Sequence, residues 1–312
     1  MRAAVLHALG SPPRVEEFDD PGSVVRPGET VVEVAAAGLS HLDLGKAAGK
    51  VKGQAPALPY VPGTDGVGRC PDGRRVYFHK TVSPYGAFAE RTLVADGWLA
   101  DVPDGVTDEV AAALGNAGVA AMTALESLPD LDGRHRVLVM GATGAVGQVA
   151  VQLGKALGAS RVVAAGLGAD RLDRLRELGA DATVDLGTTG GMQDALLAQG
   201  PFDLIVDLLW GAPSLAAMHA AAPEATLVQF GELAGSTIEL PAALLRSKQL
   251  RLLGVSGFQA PAAEQVRRYE RVTSFAASGR IEVDLEAIPL AQIDRAWEQQ
   301  GRSAAWKLVI IP

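Results

Sequence analysis

Cysteine is nearly absent: Cys70 stands alone in 312 residues. One thiol excludes an internal disulfide and any cysteine-based metal cluster. Positive charge is in deficit too. The formal net charge is -8 and no basic cluster interrupts it, which argues against a nucleic-acid partner. No apolar run is long enough to span a bilayer, so no membrane partner is expected. Met1-Arg-Ala-Ala-Val-Leu-His7 reads as the start of a strand rather than a signal peptide, and a cytoplasmic protein is expected. Repeats and low-complexity segments are also missing. With 48% apolar and 21% charged residues, the composition is that of an ordinary globular protein. Its length suits two domains better than one core.

What the chain does contain is a strong local signal. Arg136-Val-Leu-Val-Met140 is a short Val-rich run that reads as a buried strand. It breaks into glycines at GxxGxxG spacing, Gly141, Gly144 and Gly147. An apolar stripe at helical period follows, Val146, Val149, Ala150, Leu153 and Leu157, and ends at Gly158. Glycines let a backbone turn tightly and approach a diphosphate, while a helix start offers free N–H groups and a positive dipole end. The spacing alone is a weak sign, but a strand before it and a helix after it supply the required context. A second strand, Arg161-Val-Val-Ala-Ala-Gly166, completes a βαβ unit. The stretch predicts a nucleotide-binding core, with Gly141, Thr143, Gly144, Ala145, Val146 and Gly147 against the cofactor.

Around this core the pattern changes twice. Up to about residue 115 it is mostly β, with strands at Val31–Gly38, Gly73–Phe78 and Ala87–Val94 punctuated by Pro and Gly. Helical runs follow over Asp108–Leu114 and Val119–Leu128. Beyond 130, strands alternate with helices: Val137–Met140, Val162–Ala165, Ala182–Asp185, Asp203–Leu208, Thr226–Gln229 and Leu252–Val255. The helices between them include Ala169–Leu178, Asp194–Leu197 and Ser214–Ala221. Such alternation predicts a parallel sheet covered by helices. Pro261–Ser278 reads as an amphipathic helix with Glu264, Arg267, Arg268 and Arg271 outward. Ala305–Ile311 returns to strand, in position to complete the first domain.

In this order the chain resembles the medium-chain dehydrogenase/reductase superfamily. Val137–Leu153, Pro62-Gly-Thr-Asp-Gly-Val-Gly68 and Phe230-Gly-Glu-Leu-Ala-Gly235 are similar to its quinone oxidoreductase branch. The resemblance implies an α/β fold: a GroES-like β-rich catalytic domain over 1–120, a Rossmann NADP-binding domain over 121–260, and a return segment over 261–312 that completes the first. Zinc members of the superfamily hold their metal with two Cys and a His. Ser40, Thr64 and Asn116 stand at those positions here, and hydroxyls and an amide are poor zinc ligands. The four-Cys structural lobe is missing. His41 beside Asp43 reads as a partly buried structural histidine rather than a ligand. No metal is expected. The resemblance then implies reduction of an acceptor already activated by conjugation, a quinone or an α,β-unsaturated carbonyl, by a nicotinamide cofactor. Ala120 and Leu186 depart from the family, which often has Thr and an aromatic there.

Several residues are candidates for the substrate site. Asn116 is placed to hydrogen-bond a carbonyl, or is a helix-end Asn. Tyr60 is a candidate proton donor, or packs by its ring alone. Asp43 is read as holding its loop, Ser40 as lining the pocket, and Trp210 as either a pocket wall or plain packing. Leu209, Phe230, Gly231 and Ser256 stand at carboxyl ends of strands, where such sheets bind nucleotides. For the cofactor, Gly166 stands where an NAD-preferring fold carries an acid on the ribose. Arg171, with Arg174 beyond it, offers a guanidinium for a 2′-phosphate, so NADP(H) is expected. Leu250-Arg-Leu-Leu-Gly-Val-Ser256 is an apolar strand at the sheet end, and relatives commonly pair such edges, so a homodimer is expected. Two other readings stay open: a dedicated enoyl-reducing tailoring enzyme, and a cofactor-binding protein without turnover.

Overall fold

A computed structural model gives the architecture. It describes residues 1–51, 57–187, 191–256, 260–302, 304 and 306–312. The elements run β1 (Arg2–Val5), β2 (Arg14–Glu17), β3 (Glu29–Leu39), α1 (His41–Ala47), β4 (Asp65–Arg69), β5 (Arg75–His79), β6 (Arg91–Ala95), β7 (Leu99–Asp101) and α2 (Asp108–Leu125). Then come β8 (Arg136–Met140), α3 (Ala145–Ala156), β9 (Arg161–Gly166), α4 (Ala169–Glu177), β10 (Ala182–Asp185), α5 (Met192–Gln199), β11 (Phe202–Asp207), α6 (Gly211–His219), β12 (Ala221–Gln229), α7 (Ala242–Lys248) and β13 (Arg251–Gly254). The chain closes with α8 (Ala262–Ala277), β14 (Leu285–Pro289), α9 (Ile293–Gly301) and β15 (Lys307–Ile311). Two compact units result: residues 1–119, 261–278 and 283–312, and residues 120–260 with 279–282.

The second unit is a six-stranded sheet in the order β10-β9-β8-β11-β12-β13, parallel throughout. In chain order that is 3-2-1-4-5-6, the doubly wound arrangement, and its order reverses between β8 and β11. Continuous apolar runs make these strands because both faces are covered. Leu138, Met140, Val163, Ile205 and Leu227 are buried in one core with Phe202 and Met218. On α3 the stripe faces inward as expected: Val149, Ala150 and Leu153 are buried, Val146 and Leu157 half-buried. Gly158, at φ +96, ends the helix.

The first unit is built on a mixed sheet, β14-β15-β3-β4-β5-β7, with β6 on the other part of β3. Leu308, Val309 and Ile310 of β15 pair with Leu39, Gly38 and Ala37. The tail therefore joins the sheet that the first third of the chain begins. The expected start of that strand at Ala305 lies outside the described residues.

Two local expectations need correction. The strand expected over Ala87–Val94 begins at Arg91, because Ala87 and Phe88 direct their N–H groups to Gly63 and Pro62 carbonyls instead of a ladder. The two helical runs expected before residue 128 are both present, joined end to end as α2 across a kink at Gly115 (φ -48, ψ -105). Arg268 faces inward, buried and ion-paired with Glu264, while Arg267 and Arg271 remain exposed. On the same helix Tyr269 is fully buried and stacks on Tyr77, ring centroids 3.9 Å apart.

The bend in α2 has an identifiable cause. A Cβ at Gly115 would lie 2.2 Å from Asp65 Oδ2 and 2.6 Å from the Tyr77 ring. Gly115→Ala is therefore expected to cost about 1–3 kcal/mol by overpacking, read as a lower urea midpoint. Gly97→Ala, with nothing within 4 Å, serves as the control. A wild-type midpoint for Gly115→Ala would refute this account of the bend.

Candidate functional site

In the second unit the glycine turn sits where the strand order reverses. Gly141 follows β8 at φ +74, and a Cβ there would press on Leu209 at 3.1 Å. Gly147 lies against the turn it leaves: a Cβ would be 2.5 Å from Ala142 Cα and Gly141 O. Gly144, by contrast, is exposed and its Cβ position is nearly clear, with only Gly141 O at 3.6 Å. Gly144 caps α3, and Ala145 and Val146 form its half-buried first turn. First-turn N–H groups have no intrahelical partner. A close-approach backbone, a helix N-terminus and an open face fit a diphosphate.

Thr143 is buried under the end of β9, and a Cβ at Gly166 would come within 2.6 Å of its Cγ2. Gly166 thus has a packing reason besides the acid it lacks. After it come exposed Leu167 and Gly168, whose φ of +92 starts α4. Arg171 is exposed, its aliphatic stem folded back to 3.9 Å from a Gly168 Cβ position. Arg174 is already engaged, paired with Glu177 and Glu282 at 3.1 Å each. Only Arg171 of the two keeps its guanidinium out of an ion pair among the described residues.

Asp207, which the sequence reading missed, organises the neighbouring strand end. Buried at the end of β11, it accepts the N–H groups of Leu209 (3.0 Å) and Trp210 (3.1 Å). Burial raises its pKa. Its backbone carbonyl accepts from Phe230 at 2.8 Å. Gly231 packs its Cα face against Leu208 O, where a Cβ would lie at 2.5 Å. Trp210 adopts φ 57 and packs, half-buried, against the sheet core. Ser256 is exposed just beyond β13.

The first unit gathers the other candidates. Asp43, at the third position of α1, is buried and takes four hydrogen bonds. Its Oδ2 accepts from the Ser40 N–H (2.9 Å) and hydroxyl (2.7 Å), its Oδ1 from the Thr64 N–H (3.0 Å) and hydroxyl (2.7 Å). Next to Thr64, Asp65 is fully buried and its Oδ2 accepts from the Asn116 N–H (2.8 Å) and Tyr77 hydroxyl (3.3 Å). The three positions that carry metal ligands in zinc enzymes are thus tied to two carboxylates. Ser40 and Thr64 spend their hydroxyls on Asp43, and Asn116 is held by its backbone. These residues do not fit a zinc ion. Among the described residues no group of three His, Cys, Asp or Glu is arranged to hold any metal.

Burial pushes Asp65 up to about 6, and buried Lys307 opposes that. Lys307 is itself lowered by burial, while Asp65 and Asp43 pull it back; its Nζ donates to Leu39 O at 2.9 Å. Asp65 and Lys307 had no weight in the sequence reading, although Asp65 lay inside a quoted motif. His41 keeps an exposed edge, but its Nδ1 lies 3.0 Å from Gln300 Nε2, and burial, then the Lys307 charge, lowers its pKa.

Asp43, Tyr60 and Thr64 border one cavity of about 370 Å³, together with Lys46 and Lys80. The Tyr60 ring is buried with Leu6 and Ala47, as the packing alternative had it. Its hydroxyl is buried without a hydrogen-bond partner among the described residues, and burial, then the Asp43 charge, pushes its pKa up to about 12. It keeps its proton at neutral pH. Lys46 and Lys80 had not been singled out; nothing in their local sequence distinguishes them from solvated lysines.

Comparison with known proteins agrees with this picture. The zinc-binding dehydrogenase family profile matches residues 145–277. An alcohol dehydrogenase of Geobacillus stearothermophilus is 31% identical over 59% of this chain and 64% of its own length. An acrylyl-CoA reductase of Ruegeria pomeroyi is 27% identical over 85% of this chain and 84% of its own. The chain spans 45–64% of the length of four curated relatives that it matches, the Geobacillus alcohol dehydrogenase among them. The quinone oxidoreductase of Thermus thermophilus, whose structure is known also with NADPH, superposes over the whole of both chains with a TM-score of 0.85 at 27% identity. In its fold, its glycine turn and these likenesses, the chain is similar to zinc-binding dehydrogenases and quinone oxidoreductases of the medium-chain dehydrogenase/reductase superfamily.

Proposed function

We propose that this protein is an NADPH-dependent reductase that passes a hydride to a quinone or an α,β-unsaturated carbonyl acceptor without zinc. One observation carries the acceptor class: Ser40 and Thr64, at metal-ligand positions, both donate their hydroxyls to Asp43. With the metal positions committed to a carboxylate, the acceptor must bring its own activation, which conjugation supplies. A bound nicotinamide supplies the hydride. The chain's part is to hold and orient. The Gly141–Gly147 turn and the first turn of α3 offer amides to the diphosphate, and the Tyr60 hydroxyl is a protonated donor for an acceptor oxygen. The names of the quinone oxidoreductase and the acrylyl-CoA reductase support the same two acceptor types. The domain boundaries proposed are 1–120, 121–260 and 261–312, with catalytic, cofactor-binding and returning roles. The absence of a bilayer-length apolar helix among the described residues is compatible with the cytoplasmic assignment.

The test is oxidation of NADPH with a panel of quinones and enones after prolonged chelation. Turnover that survives the chelator is the expected result. No turnover with any acceptor, or loss of turnover restored by zinc, would overturn the proposal.

Cofactor choice rests on Arg171. A guanidinium that pairs with the 2′-phosphate is worth roughly 1.5–3 kcal/mol, so Arg171→Ala is expected to weaken NADPH binding about ten- to a hundredfold. NADH binding should change little. Dissociation constants from fluorescence titration decide this; equal losses for both cofactors would remove Arg171 from the phosphate.

Assembly follows from the sheet edge. All four residues of β13 are exposed, Leu252 and Leu253 at 41% and 42%. An apolar edge of this kind invites pairing with a second copy. Light scattering at micromolar concentration is expected to give twice the chain mass, and Leu253→Lys to give the monomer. A wild-type monomer would sink the dimer.

A further inference from the structure

The turn that follows β11 is held in a conformation that its own sequence resists. Trp210 has φ 57 and ψ -168, a region almost exclusive to glycine. Strain of this kind persists only where the surroundings over-determine it, and it gathers at ligand sites. Here the restraints can be named. Asp207 Oδ1 accepts the N–H groups of both Leu209 and Trp210. Its Oδ2 and the Ser214 hydroxyl are both buried with no hydrogen bond of normal geometry. Burial raises the carboxyl's pKa, and nearby Ser214, then the two N–H groups, oppose it. The loop after β12 locks the turn from the other side. Leu209 O accepts from the Ala234 N–H at 2.8 Å, and a Cβ at Gly211 would stand 2.7 Å from Ala234 O. Leu209 in turn lies against Gly141 of the glycine turn. The Trp210 ring is half-buried beside the sheet core.

The place of this turn in the sheet points to its ligand. The strands β8, β9 and β10 form one half of the doubly wound sheet and β11, β12 and β13 the other, with the glycine turn at the crevice between them. In such folds one nucleotide lies over each half, and the adenosine ribose belongs to the end of the second strand, here β9. The nicotinamide half therefore falls to the end of β11. We propose that Trp210 is a contact of the nicotinamide half of the cofactor and that Asp207 is the positioning residue that fixes it there. This rests on the reductase reading for the identity of the cofactor. An indole offers a broad apolar face to a nicotinamide–ribose unit. The glycine that this backbone conformation favours would offer none. The turn thus gives up stability for a ligand-facing side chain.

Binding and stability test this without turnover. NADPH and adenosine 2′,5′-bisphosphate, which lacks the nicotinamide half, are titrated by calorimetry into the whole protein and its variants. Urea midpoints are measured on the same samples. Trp210→Ala is expected to weaken NADPH about tenfold and to leave the bisphosphate unchanged, while Trp210→Phe retains most of the NADPH affinity. Trp210→Gly should bind as Trp210→Ala does but have the higher urea midpoint. That reverses the order that alanine and glycine show at an ordinary backbone position. Asp207→Ala is expected to weaken NADPH about as much as Trp210→Ala, with no further loss in the double variant. Asp207→Asn keeps the accepting oxygen and should restore most of the affinity. Wild-type NADPH affinity in Trp210→Ala, or equal losses for NADPH and the bisphosphate, overturns the nicotinamide contact. A midpoint for Trp210→Gly at or below that of Trp210→Ala overturns the strain. Additive losses in the double variant remove Asp207 from the positioning role. Wild type that binds neither NADPH nor NADH overturns the reductase reading and the cofactor contact with it, and the two midpoints still decide the strain.

Discussion

Two adjacent buried groups, Asp43 and, through its neighbour Thr64, Asp65, hold the first unit together at the place where its chemistry is expected. Charge that is removed from water must find donors or lose its ionisation. Asp43 finds four, all from Ser40 and Thr64. Asp65 finds Asn116 and Tyr77, with Lys307 buried nearby. Each donor is fixed in turn. Ser40 starts α1, Asn116 follows the bend at Gly115, and Lys307 begins the returning strand. The unit's loops, its helix bend and its late strand converge on one electrostatic demand.

The same demand explains how a scaffold shared with zinc enzymes forms without ligating side chains. Hydroxyls that hold a carboxylate replace side chains that would hold a cation, and the loop keeps its anchor. Lys46 and Lys80 border a cavity whose one carboxylate is already satisfied. In the second unit the governing constraint is steric. Gly147 and Gly231 each meet backbone at 2.5 Å, and Gly166 meets the Thr143 side chain at 2.6 Å. Of the three glycines of the turn, only Gly144 has a nearly clear Cβ position.

Much of the architecture was legible because its signals are local and periodic. The Val-rich run, the glycine spacing and the stripe on α3 each follow from a single secondary element, and β8, the turn and α3 appear where those signals stand. Alternating apolar strands and helices likewise implied the parallel sheet. Errors arose where backbone groups had non-local partners. Ala87 and Phe88 read as strand, yet they bond to the Pro62–Gly63 loop. Arg268 read as outward because it is charged, yet its pairing with Glu264 lets it lie inside.

The sequence by itself determined the two-unit plan, the parallel sheet and the glycine turn, since period, punctuation and spacing are written along the chain. Its resemblance to zinc enzymes aligned Ser40, Thr64 and Asn116 with their metal-ligand positions. Only the tertiary structure decided what those residues do instead, because Asp43 meets Thr64 across 21 positions and Asp65 meets Asn116 across 51. It alone separated Arg171 from Arg174, identical in type and three residues apart, by giving Arg174 to Glu282 across 108 positions. And it alone brought Lys46, Tyr60 and Lys80 around one cavity. Hydrophobic period acts through neighbours on one element, whereas buried charge is settled by whichever distant donor the fold delivers.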